Sequence, residues 1–424
     1  MQVTINTLSP TEREAAFEVP GEELEPHFDL AYEKFRPKAE LKGFRKGKVP
    51  LPMIKQLYGE AIEHDALDEI ANSLYRKAME ERNIRPIGSP SMVDLDFKRK
   101  QHLRFTVKYE VKPEIVLGNF KGLAVDKPIH TVTDAEVDEE LHHLRKVNST
   151  NTDTDVVTDA EHVVMANVQE LDDSGTPLIG KKTSDARFYL ADPALAPEIR
   201  ETLKAAKVGD TCRVRYESKH ENHTHHHHFD IAVTKVQKVD LPPFDETLVR
   251  KLTGEKITSP EEFRKNIRAD LEKYWEEQAN ARVNDAIAND LVRRHDFPVP
   301  ESIVEAFLRS FVEDIKSRSR DRRLPAEFDE QKFRNENREY ATWQAKWMLL
   351  KEAIAEKENL TVTDDDLAGL AEQEASRIGI EKTRLLDYYK RSNTASERLL
   401  SDKVMALLRS HAKVQEKAIE EKNA

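Results

Sequence analysis

An apolar stripe at helical spacing runs from Phe263 to Leu291, and it constrains the fold more than any other feature of the sequence. Ser259 is a favourable N-cap and Pro260 suits the first helical position, so a long helix is predicted to begin there. The stripe consists of Phe263, Ile267, Leu271, Trp275, Val283, Ile287 and Leu291. We predict that the chain beyond Pro243 is helical to its end, with breaks such as FPVPE between the helices.

The composition suits several domains built largely from thin helices. The chain has 424 residues, too many for one compact core, so about two or three domains are expected. A hydrophobic content of 38% beside a charged content of 34% is typical of long helices with solvated faces. The net charge of −12 disfavours DNA or RNA as the main partner unless basic residues concentrate locally.

Targeting signals are not evident. No basic region followed by an apolar run opens the sequence, and no stretch approaches the roughly 20 apolar residues of a membrane span. The single cysteine, Cys212, has no partner for an internal disulfide and fits a reducing compartment. We therefore expect a soluble cytoplasmic protein with no membrane partner.

Residues 1–112 are predicted to form a mixed α/β head, with strands at 2–7 and 13–19 and a hairpin between Met92 and Val111. Apolar residues alternate with polar ones in the second arm of the hairpin, which predicts one buried face. These residues are Leu103, Phe105, Val107, Tyr109 and Val111. A helix between the strands carries an apolar stripe of Ile62, Ala66, Leu67, Ile70, Leu74 and Ala78.

The rest of the chain divides into three further segments. Residues 113–150 are predicted to be an extended linker that packs with the helical body. Residues 151–240 have the pattern of a small antiparallel β-rich domain, preceded by a polar, aperiodic boundary at Asn148–Asp155. Residues 241–424 are predicted to be an elongated all-α domain. The expected fold class is therefore multidomain α+β.

The most informative local feature is the loop from Leu41 to Pro50, which concentrates positive charge on an acidic protein. Between Lys34 and Lys55, eight basic residues are accompanied by one acid, Glu40. The basic residues are Lys34, Arg36, Lys38, Lys42, Arg45, Lys46, Lys48 and Lys55. Such a density predicts a local positive field directed at a partner.

The loop also offers an aromatic side chain at its tip. Gly43 and Gly47 permit a tight backbone, which presents Phe44 beside Arg45 and Lys46. An aromatic anchor with cationic neighbours suits a surface that combines acidic side chains with phosphates. The alternative is a solvated charged loop in which Phe44 folds inward. A nucleic-acid-binding regulator would need several stacking aromatics on a broad basic face, whereas this loop has one.

This loop, with the helix MIKQLYG after it, resembles the ribosome-binding signature of the trigger factor family. The positions that carry the resemblance are Gly43, Phe44, Arg45, Gly47, Lys48 and Pro50. FPVPESIVE at Phe297–Glu305 and AKVQEK at Ala412–Lys417 are similar to further family landmarks. The order of the segments matches as well, so the resemblance covers essentially the whole chain.

The resemblance implies that 1–112 is a ribosome-binding domain. Its loop would contact the large subunit beside the polypeptide exit tunnel, where a ribosomal protein and rRNA lie together. The implied contact residues are Gly43, Phe44, Arg45, Lys46, Gly47, Lys48 and Pro50. Residues 241–424 would be the chaperone body, whose two arms cradle nascent and unfolded polypeptides. The resemblance also implies a homodimer off the ribosome, and roles in cell division and protein transport.

Client binding is expected to need no cofactor. The nucleotide-binding pattern GxxxxGK[ST] is absent, since GFRKGK has neither its spacing nor its Ser or Thr, so no ATP-driven cycle is expected. Paired helical arms leave apolar side chains facing a groove, which binds unfolded segments through apolar burial. For any one stripe residue, such as Phe307 or Trp347, core packing is the alternative.

The resemblance further implies that 151–240 is an FK506-binding-protein-like peptidyl-prolyl isomerase domain. Such a site needs an apolar, aromatic-lined pocket that desolvates the X–Pro amide. The family's helix opening reads Ile-Pro-Gly-Phe-Glu, whereas Ala196–Arg200 reads Ala-Pro-Glu-Ile-Arg. We therefore predict weak or absent isomerase activity, with Phe188, Pro197, Ile199 and Phe229 as possible remnants of the family's pocket. The alternative is an active isomerase acting on nascent chains, which requires Phe188, Tyr189, Ile199 and Phe229 to rebuild a pocket.

A histidine cluster replaces the flap that usually carries a Tyr followed by Gly and Lys. Its members are His220, His223, His225, His226, His227 and His228. Imidazoles at this spacing can bind Ni²⁺, Cu²⁺ or Zn²⁺. No nearby cysteine completes a structural site, so we predict no physiological metal. The alternative is a polar flap tip whose charge depends on pH.

Overall fold

The structure is a computed structural model of the chain. It describes residues 1–42, 44–172, 174–220, 223–319, 321–325 and 327–418, with the backbone alone at 218–220 and 223–226. Contacts divide the chain into two compact units. One comprises Met1–Lys127 with Ala281–Glu416, and the other contains Pro128–Asn280. The molecule is multidomain α+β, as predicted; the division into four domains stays a prediction.

The first unit opens with a four-stranded antiparallel sheet. β1 (Gln2–Thr7) pairs with β2 (Glu12–Pro20), β2 pairs with β4 (His102–Glu110), and β4 pairs with β3 (Ile87–Lys98). The buried face of β4 is formed by Leu103, Phe105, Val107 and Tyr109. The predicted alternation is therefore confirmed, and Val111 lies just beyond the strand.

Two helices pack on this sheet. α1 (Gly21–Phe35) is followed by a single 3-10 turn at Arg36–Lys38, and α2 (Leu51–Glu81) begins after the basic loop. The stripe predicted for α2 is buried at Ile62, Ala66, Leu67, Ile70, Leu74 and Ala78. In the strands beneath, the rings of Phe17 and Phe105 stack with centroids 4.4 Å apart.

The second unit contains a five-stranded antiparallel sheet. Its strands are β6 (Thr150–Thr154), β7 (His162–Leu171), β8 (Pro177–Tyr189), β9 (Thr211–His220) and β10 (His223–Asp240). The order is β6-β10-β7-β8, and β9 pairs with β10. β6 falls in the polar run at Asn148–Asp155, for which the sequence predicts an aperiodic boundary. It is mostly exposed and held by backbone pairing to the end of β10, so it has no apolar pattern to reveal it.

Three short helices accompany that sheet in the second unit. α3 (Asp134–Val147) begins at a capping box in which Thr133 and Glu136 bond to each other's backbone N–H. α4 (Pro197–Leu203) follows β8, and α5 (Glu246–Thr253) follows the sheet. Of the three, α4 packs on β9, whereas α3 buries Val137 and Leu141 against Ile267 of the long helix that follows.

The long helix predicted from the apolar stripe is α6, Pro260–Arg294. The following helices are α7 (Glu301–Arg318), α8 (Glu330–Lys357), α9 (Asp364–Ile378), α10 (Lys382–Arg391) and α11 (Asn393–His411). No helix among the described residues is long and apolar enough to cross a membrane.

The prediction that the chain is helical to its end is wrong. The last described segment is a strand, β11 (Lys413–Ala418), which pairs with β5 (Ala124–Ile129). The Lys413 N–H donates to the carbonyl oxygen of Leu123 at 2.7 Å. β11 is exposed along its whole length, so backbone pairing rather than apolar burial specifies it, and the sequence pattern carries no sign of it.

Candidate functional site: the basic loop and an aromatic cleft

The basic loop is held by buried anchors at both ends. Ala39 and Val49 are fully buried against the head core. Between them, the Gly47 N–H donates to the carbonyl oxygen of Ala39 at 3.1 Å, and the Lys48 N–H donates to that of Arg45 at 2.9 Å. The buried anchors and these hydrogen bonds hold the loop in place, and its charged side chains are exposed to solvent.

Gly47 occupies a position that a larger residue would strain. Its φ is +75°, and a Cβ there would lie 3.2 Å from the carbonyl oxygen of Pro37. Glycine adopts this backbone conformation without steric cost, in keeping with the tight backbone predicted for the loop. Pro50 directly precedes the first residue of α2, with a φ of −62°. Gly43, predicted to act with Gly47, lies outside the described residues.

Phe44 is exposed at the tip of the loop. Its side chain keeps 41% of its accessible surface, and its N–H donates to the carbonyl oxygen of Leu41 at 3.0 Å. The alternative in which Phe44 folds inward is therefore wrong. A phenylalanine that keeps this much of its surface in water forgoes part of the burial that usually stabilises it, which suits an anchor that is buried by a partner.

Half of the cations around the loop have acidic partners. The ion pairs are Lys34–Glu69 at 2.5 Å, Arg36–Glu33 at 3.6 Å, Lys46–Glu40 at 2.5 Å and Lys55–Asp29 at 2.5 Å. The cations that make no ion pair with any described residue are Lys38, Lys42, Arg45 and Lys48. The Lys46 ammonium lowers the pKa of the Glu40 carboxyl. That pair is exposed and weak in water, so Lys46 is free to exchange it for a phosphate.

A buried polar cluster, which sequence reasoning missed, lies in the head where α1, α2 and the β3–β4 turn meet. The Arg99 guanidinium donates to both carboxylate oxygens of Glu63, at 2.7 and 3.0 Å, and the Tyr32 hydroxyl donates to the same group. A Cβ on Gly59 would lie 2.8 Å from Arg99 Nη2, so the glycine of MIKQLYG leaves room for this cluster. The cluster ties α1, α2 and the β3–β4 turn together.

The helical part of the same unit contains an open cleft with an aromatic floor. Its volume is about 730 Å³, and it lies along α8 and the end of α6. Its lining is Asp285, Asn289, Glu336, Glu339, Tyr340, Trp343, Gln344 and Trp347. Tyr340 stacks on Trp343 with centroids 6.0 Å apart and on Phe311 at 5.6 Å. Tyr340 is 54% exposed, whereas Phe311, Trp343 and Trp347 are partly buried and pack against the helical core, so the ladder runs from the core to the solvent.

The isomerase candidates are only partly brought together. Phe188, Ile199 and Phe229 belong to one apolar cluster of the second unit, while Pro197 is exposed. Tyr189 packs in a different cluster, where its hydroxyl donates to Glu161, so it does not join them. Burial and that carboxylate raise the pKa of Tyr189.

Two further rings that sequence reasoning did not assign to the pocket lie beside Phe229. Tyr216 and His227 are cross-strand partners on β9 and β10, and their rings stack with centroids 4.7 Å apart. The ring of Phe229 lies 6.3 Å from that of Tyr216. The period-two alternation of both strands was the signal that could have placed these rings on one face.

The histidine cluster lies mainly outside the described side chains, which include only its last two members. The His228 Nδ1 lies 3.2 Å from the carbonyl oxygen of Asp172, and His227 stacks on Tyr216. Within the part of the chain that the structure describes, no three His, Cys, Asp or Glu side chains converge as metal ligands would. The predicted absence of a metal therefore stays a prediction.

Comparison with known proteins identifies the relatives of this chain. A family model described as bacterial trigger factor protein matches residues 1–144, and one for its C-terminus matches 259–410. The trigger factor of Salinibacter ruber is 32% identical, over 99% of this chain and 96% of that protein. The trigger factor of Prosthecochloris aestuarii is 29% identical, over 98% and 97% of the two chains.

One solved structure is similar over nearly the full length. It comes from work on promiscuous substrate recognition in folding and assembly activities of the trigger factor chaperone. The alignment covers 97% of this chain and 99% of that chain, with a TM-score of 0.52 and 19% sequence identity. At 19% identity, this similarity shows that the two chains share a fold and nothing further.

Proposed function

This chain belongs to the trigger factor family of chaperones, and from that premise we propose that it docks on the ribosome and binds nascent polypeptides at the exit tunnel. It assists their folding in the cytoplasm without ATP. The observation that carries the proposal is the loop, on which an exposed Phe44 is followed by Arg45, one of the four cations between Lys34 and Lys55 that make no ion pair with a described residue.

The chemistry of the loop fits a mixed protein and RNA surface. Phe44 supplies apolar area for a pocket on a ribosomal protein, and Arg45 and Lys48 can each neutralise a phosphate of rRNA or an acidic side chain. Because contacts of this kind release counterions, binding should weaken as salt rises. Gly47 and Pro50 fix the backbone and so reduce the conformational entropy lost on docking.

The test is cosedimentation with 70S ribosomes at low and moderate salt. The triple variant Phe44→Ala/Arg45→Ala/Lys46→Ala should lose the salt-sensitive binding that the wild type shows. A matched control is Tyr388→Ala/Lys390→Ala/Arg391→Ala, which removes an exposed aromatic side chain and two cations from α10. Loss of binding in both variants, or in neither, would contradict docking through the loop.

The cleft is the proposed client surface. Tyr340, Trp343 and Trp347 offer apolar area without a closed shape, and such a surface accepts many sequences because burial of apolar area is not directional. The cleft lies in the same compact unit as the loop.

Off the ribosome, we expect a homodimer formed through the head, and we expect the roles in cell division and protein transport that the family resemblance implies.

For the isomerase domain we propose weak or absent activity. Ile199 is 7% exposed and packs into the domain core, so it does not line an open, aromatic-walled pocket as the family's phenylalanine would. The alternative, an active isomerase, is favoured by the group of Tyr216, His227 and Phe229 rings. Refolding of a protein limited by prolyl isomerisation, followed with catalytic amounts of the chain, separates the two. Acceleration that is lost in Phe229→Ala would establish the alternative.

A further inference from the structure

Lys351 is a half-buried amine without an acidic partner. It lies on α8 and points toward α11, where its Nζ donates to Ser401 Oγ at 3.0 Å. The same Nζ lies 5.6 Å from the ring centroid of Trp347. Among the described residues, no carboxylate lies within ion-pairing distance of it.

Other sheltered lysines of the same unit are paired. Lys346, one and a half turns earlier on α8, bonds to Asp296 at 3.0 Å, and Lys403 on α11 bonds to Asp366 at 2.6 Å. A buried ammonium is costly unless a counter-charge offsets its desolvation. Lys351 therefore sits in surroundings that favour the neutral amine, which is the nucleophilic form.

A small cavity opens directly beside this amine. Its volume is about 190 Å³, and its lining is Met348, Lys351, Glu352, Glu397, Leu400, Ser401 and Val404. A water molecule takes up about 30 Å³ in the liquid, so the cavity has room for a ligand of about six non-hydrogen atoms. Aliphatic side chains supply one wall and the amine lies at its edge, which suits a short alkyl chain with a reactive end.

The charges around the cavity select the kind of ligand. Burial lowers the pKa of Lys351, and three carboxylates oppose that shift, those of Asp402 and Glu397 on α11 and of Glu352 on α8. Glu352 is itself paired with Lys112. These acids repel anionic reagents such as acyl phosphates but not neutral carbonyl compounds. They also stabilise any product that keeps a positive charge on the nitrogen, as does the face of Trp347.

We propose that Lys351 is a covalent binding site for short aliphatic aldehydes, which it holds as a reversible Schiff base with the alkyl chain in the adjoining cavity. The amine nitrogen adds to the carbonyl carbon and forms a carbinolamine. The carbinolamine oxygen takes up a proton from solvent, the carbon–oxygen bond breaks, the oxygen leaves as water, and the nitrogen lone pair forms the protonated imine. No oxidant or reductant is needed, and hydrolysis reverses the step.

The experiment uses the full chain, propanal as the probe and cyanoborohydride to trap the imine, followed by peptide mass mapping at pH 7. Lys351 should be labelled faster than Lys346, because burial lowers the pKa of Lys351 and so raises the fraction of its amine that is neutral and nucleophilic at pH 7. Lys346 is the matched control, since it lies on the same helix but is ion-paired. Equal or slower labelling of Lys351 overturns the proposal without the use of any variant.

A second measurement tests the cavity. Leu400→Trp fills the space, so it should slow the labelling of Lys351 by propanal about tenfold while leaving Lys346 unchanged. Formaldehyde, which has no alkyl chain, should label Lys351 in that variant at close to the wild-type rate. If propanal labels Lys351 equally fast in Leu400→Trp, with an unchanged thermal midpoint, the cavity is not the binding site.

Discussion

At the scale of single residues, the head depends on a buried carboxylate that joins α1, α2 and the β3–β4 turn. Glu63 is 7% exposed, and its two oxygens accept bonds from Arg99 and Tyr32. A buried charge is tolerated only when every lone pair that faces the protein has a donor, and these contacts provide that. In the sequence, Glu63 is one of many acidic residues on predicted helices, so only the three-dimensional contacts show that it is a buried hydrogen-bond acceptor.

Glu63→Ala should lower the free energy of unfolding of the head by about 1–3 kcal/mol. The substitution leaves the Tyr32 hydroxyl buried without its acceptor and leaves a void beside Arg99. Urea unfolding followed by circular dichroism provides the measurement. Glu60→Ala, an exposed acid on the same helix, is the control and should change the free energy by less than about 0.5 kcal/mol.

The same cluster predicts a loss of stability at alkaline pH. Burial, followed by the Glu63 carboxylate, raises the pKa of Tyr32 to about 12 from an ordinary value of about 10. A raised pKa stabilises the fold fully below pH 10, and that contribution is lost as pH rises toward 12. Burial also raises the pKa of Tyr75 and Tyr109 in this core, so all three add to the decline.

Unfolding free energies measured between about pH 8 and pH 12 test this prediction. Tyr32→Phe should make the decline above pH 10 shallower without removing it, since Tyr75 and Tyr109 remain. An equally steep decline in Tyr32→Phe would show that Tyr32 ionises with the same pKa in the folded and unfolded chains.

At the scale of elements, apolar periodicity was sufficient where an element buries a face. The stripes of α2 and α6 and the alternation of β4 all predicted elements that the structure contains. β6 and β11 were missed for one physical reason. Both are exposed strands that backbone hydrogen bonds hold at a sheet edge, so no residue pattern distinguishes them from loops.

The start of α7 shows how one element completes another. Pro300 precedes this helix and provides no side-chain cap, and instead Glu110 at the end of β4 accepts bonds from the N–H groups of Glu301 and Ser302, both at 2.9 Å. The carboxylate thus satisfies two free donors and complements the positive end of the helix. The FPVPE motif marks the helix start in the sequence, but its cap lies far away in the chain.

Glu110→Ala should destabilise the first unit by about 1–2 kcal/mol, the usual worth of a lost helix cap. Hydrogen exchange at the Glu301 and Ser302 amides should accelerate more than exchange at the middle of α7. Glu114→Ala, an exposed acid in the segment that follows, is the matched control. Unchanged exchange at these two amides would mean that solvent replaces Glu110 at no cost.

The aromatic ladder on α8 supports a prediction about client binding. Tyr340→Ala/Trp343→Ala should weaken the suppression of aggregation of an unfolded protein several-fold, because it removes the exposed apolar area of the cleft. Light scattering during dilution from denaturant measures the effect. Tyr388→Ala, which removes a 63% exposed ring elsewhere on the same unit, should have little effect. An equal loss in both variants would point to unspecific surface hydrophobicity.

At the scale of the whole molecule, the loop and the cleft belong to one compact unit. Docking at the loop would therefore hold the client surface in a defined place rather than on a free tether. The loop could be predicted from the sequence because its charge density, glycines and aromatic tip are local. The cleft could not, because Asp285 and Trp343 come from helices far apart in the chain, and each alone is as well explained by core packing.

The central claim, docking through the loop, is tested most directly by photo-crosslinking from position 44. A photoreactive phenylalanine analogue placed there should crosslink to the large ribosomal subunit, in decreasing yield as salt rises. The same analogue at position 388, another exposed aromatic site, should not crosslink. Crosslinks from position 388 but not from position 44 would contradict the account and would assign docking to another surface.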